Sequence, residues 1–186
     1  MKRLLCVLLC AIFISGCAMQ SNTMDNALTA RTQLQKSNGC TFEARVTADY
    51  GEEIHQFTMA CQWDNSGKME FEILQPDSIC GITGRLSASD ALLTFDDTVL
   101  AFSPLADGQI APVVSPWLVL HSLSGGYLSA TSDTDDGYLL YIDDVYMGET
   151  LQVQISMDAK NSPVAAEIYW QSRRILTVHL DGFSYM

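Results

Sequence analysis

The chain has 186 residues, of which 48% are apolar and 17% charged, and its 22 acidic side chains against 10 basic ones give a formal charge of −12. That is enough apolar material for one domain with its own core and too little chain for two. The acidic balance argues against nucleic acid and against anionic lipid headgroups as electrostatic partners, because both are held by Lys and Arg.

Lys2 and Arg3 precede an apolar run from Leu4 to Ile14. At about eleven residues, this run is short of the roughly 20 that cross a bilayer as a helix. A charged start followed by a short apolar core reads as an export signal. The next residues, Ile14-Ser15-Gly16-Cys17, resemble the bacterial lipobox, whose invariant cysteine receives a diacylglycerol thioether before cleavage. The resemblance implies a lipoprotein signal peptide over residues 1–16, acylation of Cys17, a polar tether over residues 17–24, and an extracytoplasmic protein anchored by lipid to a bacterial membrane. The alternatives are an ordinary signal peptide cut near Ala18 and an uncleaved anchor. Cleavage before Cys17 removes two basic residues and no acidic one, which leaves −14.

Residues 25–36 suit a short helix capped by Asp25, with Ala27, Leu28 and Leu34 near one face and Lys36 in the last turn before Asn38-Gly39. From Cys40 to Trp63 the alternation is strict. Cys40, Phe42, Ala44, Val46 and Ala48 answer Phe57, Met59, Cys61 and Trp63 across a turn placed at Tyr50-Gly51, the pattern of two half-buried strands. A two-residue turn there puts Cys40 opposite Cys61, close enough for a cross-strand disulfide; two buried thiols are the other reading. Cys80, in an Ile-Cys-Gly segment, reads as a buried apolar thiol.

Met69, Phe71 and Ile73 mark a third strand, ended at Gln75-Pro76-Asp77. Residues 79–87 suggest a fourth, and residues 91–95 and 98–102 a hairpin around Asp96-Asp97. A Pro-rich stretch, 104–116, leads into an apolar helix from Trp117 to Leu123, ended by Gly125-Gly126. Strands return at 127–131, 137–142, 150–157, 164–170 and 174–180, the last two joined by a loop at Ser172-Arg173-Arg174. The expected fold is mainly β, of the α+β class: eight to eleven antiparallel strands in a curled sheet, with a helix before it and a second helix packed into its concave side.

In this order of elements the chain resembles the lipoprotein-carrier superfamily (LolA/LolB-like). The features that carry the resemblance are the N-terminal helix, the first strand Phe42-Glu43-Ala44-Arg45-Val46, the segment from Pro76 to Gly84, the hairpin Leu93-Thr94-Phe95-Asp96-Asp97, the midpoint helix and the step from Pro163 to Ile168. The resemblance spans most of residues 25–182 and implies a single domain over 25–186. It also implies a half-open β-barrel with a central helical lid over an apolar cavity that binds acyl chains without catalysis. Soluble carriers of that family lack a lipid anchor, whereas its membrane-anchored acceptors have one, as the lipobox implies here.

A cavity of that kind would be lined by Phe42, Phe57, Met59, Trp63, Phe71 and Ile73 from the strands, with Trp117, Leu118 and Leu120 from the lid. The same residues could equally fill a closed core. His55, His121 and His179 lie on separate elements with no nucleophile elbow or phosphate loop, so no enzyme is expected. No CxxC or HxxxH spacing suggests a metal. The run Asp133-Thr134-Asp135-Asp136-Gly137 brings its glycine one position early for an EF-hand and reads as an acidic turn. No cofactor is implied. The expected partners are the membrane, through the anchor, and a lipid or lipoprotein acyl chain; the alternative is a closed envelope interaction or sensor lipoprotein that engages a protein partner.

Overall fold

The computed structural model describes residues 23–186, apart from residues 52, 97, 104, 107, 108 and 147 and the side chains of residues 105, 106 and 109. The expected signal peptide, Cys17 and most of the tether lie outside the described residues. Helix α1 (Thr23–Lys36) carries Asp25 in its first turn and Lys36 in its last, both placed to complement the helix dipole. It buries Thr23, Ala27, Ala30 and Leu34; Leu28, expected on that face, is exposed.

Strands β1 (Gly39–Asp49), β2 (Ile54–Asp64), β3 (Met69–Gln75), β4 (Thr83–Leu86), β5 (Ala91–Phe95) and β6 (Thr98–Ala101) form one antiparallel meander. A small separate pair, β7 (Leu105–Ala106) and β8 (Gln109–Ile110), precedes a 3-10 turn at Pro112–Val114. A second meander follows as β9 (Tyr127–Thr134), β10 (Gly137–Tyr146), β11 (Glu149–Asp158), β12 (Pro163–Trp170) and β13 (Arg173–Tyr185). The two meanders join where β1 pairs with β13, giving a single sheet of eleven strands in the order β6-β5-β4-β3-β2-β1-β13-β12-β11-β10-β9. The sheet does not close, since β6 and β9 are its two edges.

This order explains where the second helix lies. The chain leaves the sheet at one edge, β6, and re-enters at the other, β9, so the connection must cross a face of the sheet. Helix α2 (Ser115–Gly125) makes that crossing on the concave side, packed against β1, β10, β11 and β13. Trp117, Leu118, Val119, Leu120 and Leu123 are all buried, as expected of a helix that is apolar almost all round. The expected architecture of a curled antiparallel sheet with an N-terminal helix and a central helix is the one observed.

Two registers differ from the expected ones, each by two residues. Cys40 stands opposite Trp63, and Cys61 opposite Phe42, because four residues rather than two separate Asp49 from Ile54. The wider loop has its own bonds: the Gly51 amide donates to Asp49 Oδ1 at 2.9 Å, and the Tyr50 amide to the Glu53 carbonyl at 3.2 Å. At the last hairpin, Trp170 pairs with Arg173 across Gln171 and Ser172. Both of these residues have positive φ, 50° and 65°, the requirement of a two-residue turn whose twist matches the strands. A three-residue loop is therefore not needed, and Ile168 faces Leu176 instead of Val178. The fourth strand is also shorter than expected, and Cys80 is exposed in the turn before it instead of buried.

Candidate functional site

All nine residues expected to line a cavity are on the concave side or on α2, and all belong to one apolar cluster with 8% exposure or less. Trp117 is its hub. Its indole N–H donates to the Gly67 carbonyl at 2.9 Å, its ring stacks on His121 at 4.6 Å, and Tyr146 and Trp63 tilt against it at 5.5 and 6.3 Å. Trp63 and Trp117, with Leu34 and His121, line a hollow of about 680 Å³ at one end of the sheet.

Helix α2 is tied down along its length. Ser122 donates to Asp144 Oδ2 at 2.7 Å, and Tyr50 donates its hydroxyl to the Ile110 carbonyl just before the 3-10 turn. At its C-terminus the unpaired carbonyls that every helix leaves there are met from α1. Arg31 donates to the Leu123 and Gly126 carbonyls at 2.8 and 2.7 Å, and Gln35 to that of Ser124 at 2.7 Å. Partial burial holds the Arg31 pKa below its ordinary value.

The concave face is not covered throughout. One row of paired residues runs inward-facing across the first meander, from Phe42 through Cys61, Phe71, Gly84 and Leu93 to Leu100. Phe42, Cys61 and Phe71 are 4–5% exposed, whereas Leu100 at the edge is 61% exposed, and its neighbour Phe95 is 59% exposed. The core thus thins toward β6, leaving an apolar shelf beside the covered part. Gly84 sits at the transition, where a Cβ would come within 2.4 Å of the Phe71 ring, so only glycine leaves room for that ring over β4. Leu93, Ile82 and Phe102 are partly buried around the shelf. Leu93, Phe95 and Leu100 were not among the site residues expected from the sequence. The available signal was the 91–102 hairpin itself, whose apolar residues fall on both faces instead of alternating.

Cys40 and Cys61 are both free and buried, one step diagonal to each other across the β1–β2 pair. Burial pushes the Cys40 thiol up to about 12 and the Cys61 thiol higher still, the latter also through the neighbouring Cys40. His55 is within 3.2 Å of Glu53, and the three histidines remain apart on separate elements. Among the described residues no group of three or more His, Cys, Asp or Glu side chains could hold a metal ion, and no helix is long and apolar enough to cross a membrane.

No family model and no curated protein matches the chain. Among solved structures it is similar to an uncharacterized conserved protein from Thermus thermophilus, with 13% identity, 88% of each chain covered and a TM-score of 0.49. A LolA superfamily protein from Nitrosomonas europaea matches with 12% identity over 86% of this chain and 93% of that one, TM-score 0.46. Lipoprotein LppX from Mycobacterium tuberculosis matches with 12% identity over 86% and 92%, TM-score 0.41.

Proposed function

We propose that the protein is an extracytoplasmic, non-catalytic binding protein, tethered through an acylated Cys17, that holds an acyl chain or similar amphiphile on its concave face. The observation that carries this reading is the inward row that passes from buried Phe42 and Phe71 through partly buried Leu93 to exposed Leu100. An apolar surface continuous with a core, open at one edge and formed by a rigid sheet, suits a flexible hydrocarbon chain. Its burial is worth roughly 0.8 kcal/mol per methylene. The nine buried residues then serve as the fixed wall against which the chain ends, and the lipid anchor keeps the shelf near a bilayer that supplies the ligand.

A fluorescent fatty acid, 11-(dansylamino)undecanoic acid, tests this. Saturable binding to the wild type, weakened at least tenfold by Leu93→Asp with Leu100→Asp, is the expected result. Failure of the wild type to bind would refute the reading. Metabolic labelling with an alkyne palmitate tests the anchor: label is expected on the wild type and lost in Cys17→Ser.

A second reading, a closed envelope protein that engages a protein partner, is favoured by the ties on α2. Its bonds to Gly67, Asp144, Arg31 and Gln35 leave the covered half no evident freedom to admit a ligand. Absence of fatty-acid binding, together with a partner captured by crosslinking in the envelope, would select it.

A further inference from the structure

The convex face of the first meander carries a second row of paired residues, antiparallel strand by strand: Glu43, Ala60, Glu72, Thr83, Thr94 and Val99. All six line a trough of about 860 Å³ that crosses the strands. Five strand spacings of about 4.8 Å separate Glu43 from Val99, roughly 24 Å, the length of about seven residues of extended chain.

The two ends of the trough differ in chemistry. At the β1–β3 end, Glu43 and Glu72 stand about 10 Å apart, two strand spacings, with only the methyl of Ala60 between them. A long cationic side chain can therefore descend between the two carboxylates. The nearby arginines are already engaged: Arg45 donates to both Asp181 oxygens at 2.7 and 3.2 Å, and Arg85 holds Glu70 at 2.6 Å. Among the described residues neither Glu43 nor Glu72 forms an ion pair. At the β6 end, Val99 is 62% exposed and uncharged. Between the ends, the hydroxyls of Thr83 and Thr94 offer hydrogen bonds to a polar backbone, which a hydrocarbon chain could not use.

We infer that this trough is a docking surface for an extended peptide segment of a partner protein, cationic at the end over Glu43 and Glu72 and apolar at the end over Val99. The formal charge of −12 draws such a partner in and repels a second copy of this chain. The surface is on the opposite side of the sheet from the proposed acyl shelf and does not depend on it.

The test uses the full-length chain in phosphatidylcholine nanodiscs. Two fluorescein-labelled heptapeptides serve as probes, read by anisotropy with empty nanodiscs subtracted: one with two lysines at one end, serines between and two leucines at the other, and one with glutamates in place of the lysines. The lysine peptide is expected to bind and the glutamate peptide not to. Glu43→Gln with Glu72→Gln is expected to weaken binding at least tenfold. Asp133→Asn with Asp136→Asn, which removes the same charge elsewhere on the exposed surface, is expected to change it less than twofold. Equal binding of both peptides, equal loss in the two double variants, or no binding of the lysine peptide would each overturn the inference.

Discussion

Tyr185 places a buried hydroxyl without a hydrogen-bond partner among the described residues, at the end of an aromatic run in which Phe183 stacks on Phe42 at 5.7 Å and meets Tyr185 edge-on at 5.1 Å. An unpaired buried hydroxyl costs about 1–3 kcal/mol, and phenylalanine keeps the ring. Tyr185→Phe is therefore expected to be neutral or stabilising by about 1 kcal/mol in urea unfolding; clear destabilisation would show that the hydroxyl is used. Burial pushes the phenols of Tyr50, Tyr138, Tyr146 and Tyr185 up to about 12 from an ordinary 10. Below pH 10 all four are neutral folded and unfolded, so their contribution is intact. Between pH 10 and 12 the unfolded chain ionises first and stability falls. The rise in absorbance at about 295 nm should accordingly be biphasic, its later phase coinciding with loss of tryptophan-monitored structure, and a single phase ahead of unfolding would contradict this. The cysteines divide in the same way by environment. Iodoacetamide at about pH 8 should label Cys80 in the folded protein and reach Cys40 and Cys61 only in denaturant, as peptide mass mapping would show.

At the scale of elements, the stability of the central helix rests on a neighbour far away in sequence. Arg31→Ala leaves the Leu123 and Gly126 carbonyls without their donor, and a loss of about 1–3 kcal/mol is expected from a charged hydrogen-bonding group. Lysine at position 31 should restore only part of it, since one ammonium does not reproduce the two-pronged geometry of the guanidinium; full rescue in urea titrations would mean that charge alone matters. The faces of the elements were legible in the sequence, because period-2 alternation determines which side chains of β1, β2, β12 and β13 turn inward. Registers were not. A slip of two residues leaves every apolar side chain on its own face, so alternation could not choose between Cys61 and Trp63 as the partner of Cys40. That choice belonged to turn chemistry, to the Asp49 carboxylate that closes a four-residue loop and to the positive-φ pair Gln171-Ser172. Cys80 was misread for a related reason: apolar neighbours describe affinity for a core but not whether the turn reaches one. The exposure of Leu100 was hidden likewise, because it depends on where α2 lands and not on the β6 segment itself.

At the scale of the molecule, the two meanders are held together chiefly through one seam, the pairing of β1 with β13. Arg45 and Asp181, joined across it, are 136 residues apart in sequence. Contacts of such long range slow folding, because the loop must close before the pairing rewards it. Val178→Asp, which buries a charge in that seam opposite Val46, should abolish the cooperative transition of both meanders together. Survival of one meander, seen as residual protected amides in hydrogen exchange, would show that the halves fold independently.

The seam also sets an order of events. A chain synthesised N-terminus first presents β1 long before β13 exists to receive it. Until then β1 keeps one side unsatisfied, and α2 has no complete concave face to cross. The topology thus works as a built-in delay: the two halves of the sheet lock together only when the far strand arrives.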